Sequence, residues 1–324
     1  MIVVTGGAGF IGSVLVHRLN EFGYDDIIIV DELAKEEKWK NLYGLKFNDF
    51  IHKDVFIRQI MDDIISYDIE TIFHLGACSC TTEIDADYLL TNNYHYSQEL
   101  AKYCLKSNSR FIYASSAATY GDGSNGFDDD EEKLESLRPL NMYGNSKQLF
   151  DLWMKRMGLL EKFVGLKYFN VYGPNEYHKG DMRSVVHKSY EQIMEMGKVR
   201  LFKSNSKEFK NGEQMRDFIY VKDAVDMTIY FMDKPNINGL FNIGTGEART
   251  WNDLSKSMFE SLGKPINIEY IDMPKHLVSN YQNFTQANMK KFLATGYDKS
   301  LYSLEEGVKD YVQNYLLKNQ FIGY

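Results

Sequence analysis

The sequence predicts an α/β protein built on a doubly wound parallel sheet, with a smaller mixed α/β lobe towards the C-terminus. Short apolar runs alternate along the first half of the chain with longer segments that have the spacing of amphipathic helices. The first apolar run opens into a glycine-rich turn, and the regular alternation ends near residue 170. Alternation of this kind is typical of β-α-β units, so a Rossmann-type fold is expected.

Five apolar runs are predicted to be buried strands, and four segments between or after them are predicted to be helices. The strands are Ile2–Thr5, Asp26–Val30, Thr71–Leu75, Phe111–Ala114 and Val164–Phe169. The helices are Ile11–Phe22, Ile57–Ser66, Tyr94–Lys106 and Ser146–Met157. Strands separated by helices pair in parallel through right-handed crossovers, so helices are expected on both faces of the sheet.

The chain becomes less regular after residue 170, where the loops lengthen. Lys203–Gln214 is a polar segment that is expected to be mobile. Two further strands are predicted at Phe218–Val221 and Leu240–Ile243, and a last helix at Ser303–Leu317. The sequence therefore predicts a sheet domain at residues 1–170, to which the chain returns around 217–244, and a second lobe formed by residues 171–216 and 245–324.

Composition restricts the class of protein. Of the 324 residues, 44% are hydrophobic and 25% are charged, as in ordinary soluble globular proteins. The net charge of -8, without a long basic run, argues against nucleic acid as a partner. No apolar run approaches the length needed to span a bilayer, and a leader segment is not expected. The protein is therefore expected to be cytoplasmic, without membrane association.

The three cysteines, Cys78, Cys80 and Cys104, are expected to be reduced core residues, and no metal site is expected. The acidic run Asp128–Glu132 is interpreted as a solvated loop.

The glycine-rich turn after the first strand has the pattern of a dinucleotide-binding loop. In TGGAGFIG, Gly6, Gly9 and Gly12 form a GxGxxG motif between a strand and a helix. Glycines let the backbone approach a pyrophosphate, which the helix N-terminus then stabilises. Asp31 follows Gly12 by 19 residues, close to the spacing of a ribose-binding acid. The sequence thus predicts a bound dinucleotide.

The residues after the second strand leave the choice between NAD and NADP open. Asp31 and Glu32 would repel a 2′-phosphate and suit a free 2′-hydroxyl. Lys38 and Lys53 follow closely enough to neutralise such a phosphate. Both cofactors therefore remain possible from the residues alone.

A tyrosine and a lysine four residues apart are the candidate catalytic pair. Tyr143 and Lys147, in YGNSK, lie on one face of a predicted helix. A nearby ammonium is expected to lower the tyrosine pKa from its usual value of about 10 towards neutrality. Ser116, at the end of a predicted strand, is positioned to place a hydroxyl beside the phenol. The three residues together predict acid–base chemistry at the dinucleotide site.

The motifs TGGAGFIG, ASSAATYG and YGNSK, in this order, resemble the extended short-chain dehydrogenase/reductase superfamily. The resemblance implies an NAD(P)-binding first domain and a triad of Ser116, Tyr143 and Lys147. It implies that tyrosine is the acid/base, that lysine contacts the nicotinamide ribose and that serine orients the substrate oxygen. The segment Ser116–Tyr120 does not have the Asp-Glu pair of the dehydratases, which favours epimerisation or simple redox chemistry.

Together with ASSAATYG, five further segments resemble the heptose 6-epimerase family of sugar-nucleotide epimerases, namely HLGACSCTTE, TNNYHYS, FNVYGPNEYHKG, RDFIYVKD and NYQNFTQA. The resemblance implies an isomerase that interconverts ADP-D-glycero- and ADP-L-glycero-D-manno-heptose for lipopolysaccharide core synthesis. It implies transient oxidation at C6, rotation of the 6-keto intermediate and re-reduction. One tightly bound NADP per subunit is implied, with NAD as the alternative, in a homo-oligomer that is a pentamer.

The same resemblance assigns site residues. The implied cofactor contacts are Gly6, Gly9, Phe10, Ile11, Gly12, Asp31, Glu32, Lys38, Lys53, Leu75, Gly76, Ala77, Cys78, Ser79, Asn92, Lys147 and Val171. The implied substrate contacts are Ser116, Asn170, Lys179, Asp181, Lys188, Phe202, Lys203, Ser204, Asn205, Arg216 and Tyr281, in the substrate-binding second lobe.

Two of these residues also have simpler interpretations. Lys179 is implied to be the second catalytic acid/base, but it could be a solvated loop charge. Arg216 suits the substrate pyrophosphate, but it could form a salt bridge with Asp217 or another acid. For the whole protein, the alternatives are another enzyme of the superfamily, such as a UDP-sugar 4-epimerase or a reductase, and a catalytically silent NAD(P)-binding regulator. The intact triad argues against the regulator.

Overall fold

The computed structural model of the protein describes residues 1–274 and 281–323. Its main element is a seven-stranded sheet in which every neighbouring pair is parallel. In order across the sheet, the strands are β10 (Gly239–Ile243), β6 (Val164–Tyr168), β5 (Arg110–Ser116), β4 (Thr71–His74), β1 (Ile2–Thr5), β2 (Ile27–Asp31) and β3 (Asp49–His52).

Ten α-helices connect and cover the strands of the described chain. They are α1 (Phe10–Glu21), α2 (Lys53–Met61), α3 (Ala86–Leu89), α4 (Tyr96–Ser107), α5 (Met142–Arg156), α6 (Val185–Met196), α7 (Val221–Tyr230), α8 (Trp251–Ser261), α9 (Lys290–Leu293) and α10 (Leu304–Tyr311). The π-helical segments Leu90–His95 and Val312–Leu316 precede α4 and follow α10.

The predicted α/β fold class is confirmed. All residues of β1, β2, β4 and β6 are buried. Helices cover both faces of the sheet, so these strands are apolar without a polar alternation, and this made them recognisable in the sequence. Because the strands are parallel, their carboxyl ends meet at one edge of the sheet.

Two small sheets complete the fold. The first contains β11 (Ala248–Thr250), β9 (Met215–Tyr220) and β7 (Asn170–Tyr172), and the second pairs β12 (Ile268–Ile271) with β8 (Val199–Phe202). The predicted strand Phe218–Val221 overlaps β9, which belongs to the first small sheet. The predicted strand Leu240–Ile243 overlaps β10, which pairs with β6 at the edge of the main sheet. The proposed domain limits remain a prediction.

Several local predictions differ from the structure. The predicted helix Ile57–Ser66 is wrong at both ends, because α2 begins at Lys53 and ends at Met61. Asp63 has a φ of 57°, a left-handed conformation that stops the helix although apolar residues follow. The predicted helix Ser303–Leu317 is divided between α10 and a π-helical segment. The short, partly exposed strand β3 was missed because its sequence has little apolar periodicity.

The interpretation of Asp128–Glu132 as a solvated loop is wrong. Asp129 is only 2% exposed and accepts the Asn242 backbone N–H at 2.8 Å. Glu131 accepts the Leu240 N–H at 2.8 Å. These carboxylates satisfy the outward-facing donors of β10, which otherwise would be an open sheet edge. Burial raises the pKa of Asp129 to about 6.

Within residues 1–274 and 281–323, there is no helix whose length and apolar character would allow it to cross a bilayer.

Candidate active site

A cleft of about 650 Å³ lies at the carboxyl edge of the main sheet. Its walls come from the glycine-rich turn after β1, the ends of β2, β4 and β5, helix α5 and the segment after β7. A crevice in this position is the usual ligand site of open parallel sheets. All the cofactor contacts implied by the family resemblance line this cleft.

The glycine-rich turn is built for close backbone packing. Gly6 has a φ of 70°, and a Cβ at this position would lie 2.7 Å from the Gly76 backbone nitrogen. A Cβ at Gly12 would overlap the carbonyl oxygen of Gly6. Helix α1 then starts after Gly9, which has no side chain to cap the first N–H groups. These features fit a dinucleotide whose pyrophosphate lies at the N-terminus of α1.

Four charged side chains surround the end of β2. The Asp31 carboxylate accepts the Ala8 N–H at 2.9 Å and the Lys38 ammonium at 2.9 Å. Lys53 lies 3.4 Å from the Glu32 carboxylate. Lys53 also lies 3.2 Å from the Asp54 carboxylate, so both lysines of this group are paired with acids.

The predicted catalytic residues come together at the end of β5 and the start of α5. Ser116 is the last residue of β5, and Asn141 caps α5 by accepting the Gly144 N–H at 2.7 Å. This places Tyr143 in the first turn of α5, beside Ser116. Lys147, one turn later, donates its ammonium to the Ala114 carbonyl oxygen at 2.8 Å.

Burial dominates the electrostatics of this group. It raises the pKa of Tyr143, and the hydrogen bond from Ser116 opposes this effect. Burial also lowers the pKa of Lys147 to about 8, against the influence of Asp151 and Cys78. The expectation that the tyrosine pKa falls towards neutrality is therefore wrong for this arrangement, because desolvation of the phenolate outweighs its stabilisation.

An asparagine not expected from the sequence holds the loop after β4. The Asn93 side chain accepts the Cys78 N–H at 2.8 Å and donates to the Cys78 carbonyl oxygen at 3.0 Å. It also donates to the Ser146 hydroxyl at 3.0 Å. Asn93 thereby ties the implied cofactor loop to α5. The asparagine pair Asn92–Asn93 was the only sequence signal, and just Asn92 was singled out.

Lys179 lines the cleft from the segment after β7. Its ammonium lies 5.5 Å from the centre of the Phe10 ring. Burial lowers the pKa of Lys179, and the Glu176 carboxylate opposes this shift. Glu176 is 1% exposed and accepts both the backbone N–H and the hydroxyl of Ser184, at 2.5 and 2.6 Å. The interpretation of Lys179 as a solvated loop charge is therefore wrong.

Eight of the implied substrate contacts do not line the cleft. They are Asp181, Lys188, Phe202, Lys203, Ser204, Asn205, Arg216 and Tyr281. Several of them contact other protein groups, since Lys188 donates to the Asp181 carbonyl oxygen at 2.6 Å and Lys203 pairs with Asp272 at 2.8 Å. Lys203–Gln214 forms the irregular connection between β8 and β9.

Arg216 is held between two aromatic rings beside the cleft. Its guanidinium lies 5.4 Å from the ring centres of both Trp251 and Tyr281. Trp251 lines the cleft and donates to the Tyr281 hydroxyl at 3.0 Å. The Asp217 carboxylate instead accepts the N–H groups of Thr245, Gly246 and Ala287. Across the described residues, the alternative of an Arg216–Asp217 ion pair is therefore wrong.

Several residues that line the cleft were not predicted as site residues. They include Tyr88, Tyr96, Glu176, His178, Met182 and Trp251. Glu176 and His178 precede Lys179 by three residues and one residue, and this proximity in the sequence was the available signal. Burial lowers the pKa of His178 to about 4, so the ring is neutral near neutral pH.

Comparison with known proteins shows where the chain has relatives. Residues 2–244 match the NAD dependent epimerase/dehydratase family. A protein of Nitratidesulfovibrio vulgaris named ADP-L-glycero-D-manno-heptose-6-epimerase is 52% identical over 316 residues, which are 98% of each chain. A protein of the same name from Fusobacterium nucleatum is 49% identical over 98% of each chain.

A solved structure is similar over nearly the whole chain. It is that of the ADP-L-glycero-D-manno-heptose-6-epimerase of Helicobacter pylori, with a TM-score of 0.81 and 29% sequence identity. The match covers 97% of this chain and 95% of the H. pylori chain. The similarity therefore includes both the main sheet and the smaller sheets.

Proposed function

The chain belongs to the NAD dependent epimerase/dehydratase family, and we propose that it is an ADP-glycero-manno-heptose 6-epimerase. The 52% identity to a protein of that name over 98% of both chains supports the substrate. The observation that carries the chemistry is that two candidate proton carriers, Tyr143 and Lys179, line the same cleft. They come from different elements, since Tyr143 contacts Ser116 and Lys179 packs over Phe10.

The cofactor of this family is a nicotinamide dinucleotide, and we propose that this chain uses NADP. Gly6, Gly9 and Gly12 would lie under its pyrophosphate, and Lys147 would contact the nicotinamide ribose. Lys38 and Lys53 would bind the 2′-phosphate, because their pairing with Asp31 and Glu32 can be exchanged for a more highly charged partner. When bound, the dinucleotide would supply reversible hydride transfer at C6.

Side chains of the protein accept and donate the proton of the C6 hydroxyl. Ser116 hydrogen-bonds the substrate oxygen, and Tyr143 acts as the phenolate, which takes the hydroxyl proton and becomes the phenol as the carbinol becomes a ketone. The buried ammonium of Lys147 is a cation on the same helix that can stabilise the phenolate while it forms. In the reverse direction the same phenol gives its proton back.

Inversion at C6 requires that hydride return to the face of the ketone opposite the one from which it was removed. The 6-keto group must rotate in the cleft, so its oxygen leaves Tyr143 and needs another proton donor. Lys179 fits this role because burial brings the pKa of its ammonium down towards the working range, which eases proton release. One epimer is thus deprotonated at Tyr143 and the other at Lys179.

The second lobe would hold the ADP group. Arg216 can bind pyrophosphate oxygens through its planar guanidinium, and its place between Trp251 and Tyr281 fixes the plane of that group. The cytoplasmic location, the pentameric assembly and the role in lipopolysaccharide core synthesis are part of this proposal and rest on the family resemblance.

Feeding both ADP-heptose epimers to the purified protein tests the proposal. Interconversion of the two, with C6 configuration followed by NMR, is the expected result. Turnover of UDP-glucose or UDP-galactose, with the ADP-heptoses left unchanged, would instead establish a UDP-sugar 4-epimerase. Chromatography of the nucleotide released on denaturation identifies the cofactor, and NAD rather than NADP would contradict the assigned roles of Lys38 and Lys53.

A further inference from the structure

A buried ion pair lies behind the candidate catalytic residues. The Lys167 ammonium of β6 and the Asp151 carboxylate of α5 are 2.7 Å apart, and both side chains are 0% exposed. Desolvation makes such a pair a weak source of stability, and an apolar pair of similar volume is often as stable or more stable. Stability alone therefore does not account for two charges at this position.

The remaining hydrogen bonds of the carboxylate hold the last part of β5. The Asp151 oxygens accept the Ser115 hydroxyl at 2.6 Å and the Tyr113 hydroxyl at 3.0 Å. Ser115 immediately precedes Ser116 in the strand. The Asp151 carboxylate thus fixes helix α5 against the residue next to the candidate catalytic serine.

The ammonium holds the segment that follows Ser116. Lys167 donates to the Thr119 hydroxyl at 2.8 Å, and Thr119 in turn donates to the Ser116 carbonyl oxygen at 2.8 Å. The Ser116 hydroxyl accepts the Ala118 N–H at 3.1 Å. The two members of the pair therefore anchor Ser116 from both sides along the chain.

The pair also determines the register of α5 against β5. Lys147 and Asp151 lie one turn apart on α5 and bind successive residues of the strand, Ala114 and Ser115. Tyr143 lies one turn before Lys147 on the same helix. A shift of α5 would therefore displace the phenol and the ammonium together from Ser116.

The carboxylate acts on the charge of Lys147 as well. Burial lowers the pKa of Lys147, while Asp151 on the same helix and Cys78 on the loop after β4 oppose this shift. His74 of β4 also faces Lys147, and it is neutral near neutral pH because burial, with the Lys147 charge, lowers its pKa to about 3. Asp151 is thus the carboxylate on the same helix that limits the lowering of the Lys147 pKa.

We propose that Asp151 and Lys167 are positioning residues that align Ser116, Tyr143 and Lys147 for proton transfer. The inference rests on the proposed epimerase function, since it assigns a role in that reaction. Neither residue touches the substrate cleft, so their contribution acts through Ser115, Thr119 and the register of α5.

The direct test is the double variant Asp151→Leu with Lys167→Met, which removes both charges and leaves no unpaired one. The expected result is a folded protein with normal cofactor content, a kcat reduced by about tenfold or more and a KM within about threefold of wild type. The high-pH limb of the kcat/KM profile is expected to move to lower pH, because Lys147 no longer has the Asp151 carboxylate that raises its pKa.

A matched control uses an ion pair of the same length away from the cleft. Lys222 and Asp310 are also 2.7 Å apart, and neither lines the cleft. The variant Lys222→Met with Asp310→Leu is expected to change thermal stability without changing kcat or the pH profile. If the Asp151/Lys167 double variant behaves like this control, the inference is overturned.

A milder variant keeps the test decisive if the double variant does not fold. Thr119→Val conserves shape and leaves the ion pair intact, but removes the link to the Ser116 carbonyl oxygen. A lower kcat with unchanged KM and cofactor content supports the inference, and wild-type kcat contradicts it. An inactive wild-type enzyme would overturn the proposed function itself, whereas unaffected variants of an active enzyme overturn only the positioning role.

Discussion

The Lys179 ammonium lies 5.5 Å from the centre of the Phe10 ring, at the first residue of α1. This contact joins the segment after β7 to the helix that begins the implied dinucleotide site. The candidate second acid/base therefore belongs to the same cleft as the cofactor loop and Tyr143. A loop lysine is brought into the site because Glu176 and Ser184 hold its segment.

Replacing Lys179 tests the second proton carrier. We expect Lys179→Met to keep the fold and the cofactor but to slow epimerisation by about 100-fold or more, as for loss of a general acid or base. Epimerisation rates of the purified variants, with cofactor content measured by absorbance, provide the readout. Lys309 is exposed, so the variant Lys309→Met is the matched control and should remain active. Near-normal turnover of Lys179→Met would exclude a catalytic role.

Replacing Tyr143 tests the first proton carrier. Tyr143→Phe conserves the ring and removes only the hydroxyl, so the fold should persist while activity falls by about 1,000-fold. Thermal unfolding and epimerisation assays check the two expectations separately. Activity close to wild type would refute the assignment of Tyr143 as acid/base, whatever the result for Lys179.

The free energy of unfolding should depend on pH because Lys147 is buried. Its folded pKa of about 8 lies below the usual value of 10.5, so the unfolded chain holds the proton more tightly. The loss of stability that this pKa difference causes is complete below pH 8 and disappears as the pH rises above 10.5. We expect Lys147→Met to be more stable than wild type at pH 7 by up to about 3 kcal/mol.

Urea unfolding of wild type and Lys147→Met at pH 7 and pH 10 measures this difference. The advantage of the variant should shrink at pH 10, because Lys147 of the folded wild type has already lost its proton and the unfolded chain begins to lose it as well. A stability difference that does not change between the two pH values would contradict the burial of a charged lysine.

The charge cluster at the end of β2 should determine cofactor choice. We expect Lys53→Gln to weaken NADP binding by about tenfold, because a cation for the 2′-phosphate is lost, and to leave NAD binding nearly unchanged. Dissociation constants of both dinucleotides for the apoprotein test this. Lys46→Gln, an exposed lysine near Asp25, is the control. Equal weakening for NAD and NADP would show that Lys53 does not contact the 2′-phosphate.

The parts of the fold that depend on local sequence pattern could be predicted. The buried strands, the glycine turn and the Tyr143–Lys147 spacing are local features, so they could be predicted from consecutive residues. The Asp151–Lys167 pair joins α5 to β6, and Asp129 reaches β10 more than 100 residues away along the chain. Such contacts have no local signature, because they depend on how distant elements pack.

The substrate lobe was the least predictable part of the site. Phe202, Arg216 and Tyr281 were assigned by family resemblance, and the structure places them in an aromatic cluster beside the cleft rather than in its lining. Its short strands and the irregular Lys203–Gln214 connection give weak sequence patterns, so the arrangement could be seen only in three dimensions.

The most direct test of the central claim follows the hydrogen at C6. ADP-heptose carrying deuterium at C6 is incubated with the wild-type protein in ordinary water, and the product is analysed by NMR and mass spectrometry. Removal and return of the same hydrogen predicts inverted C6 configuration with the deuterium retained. Inversion with a solvent proton at C6, or no inversion at all, would contradict the account.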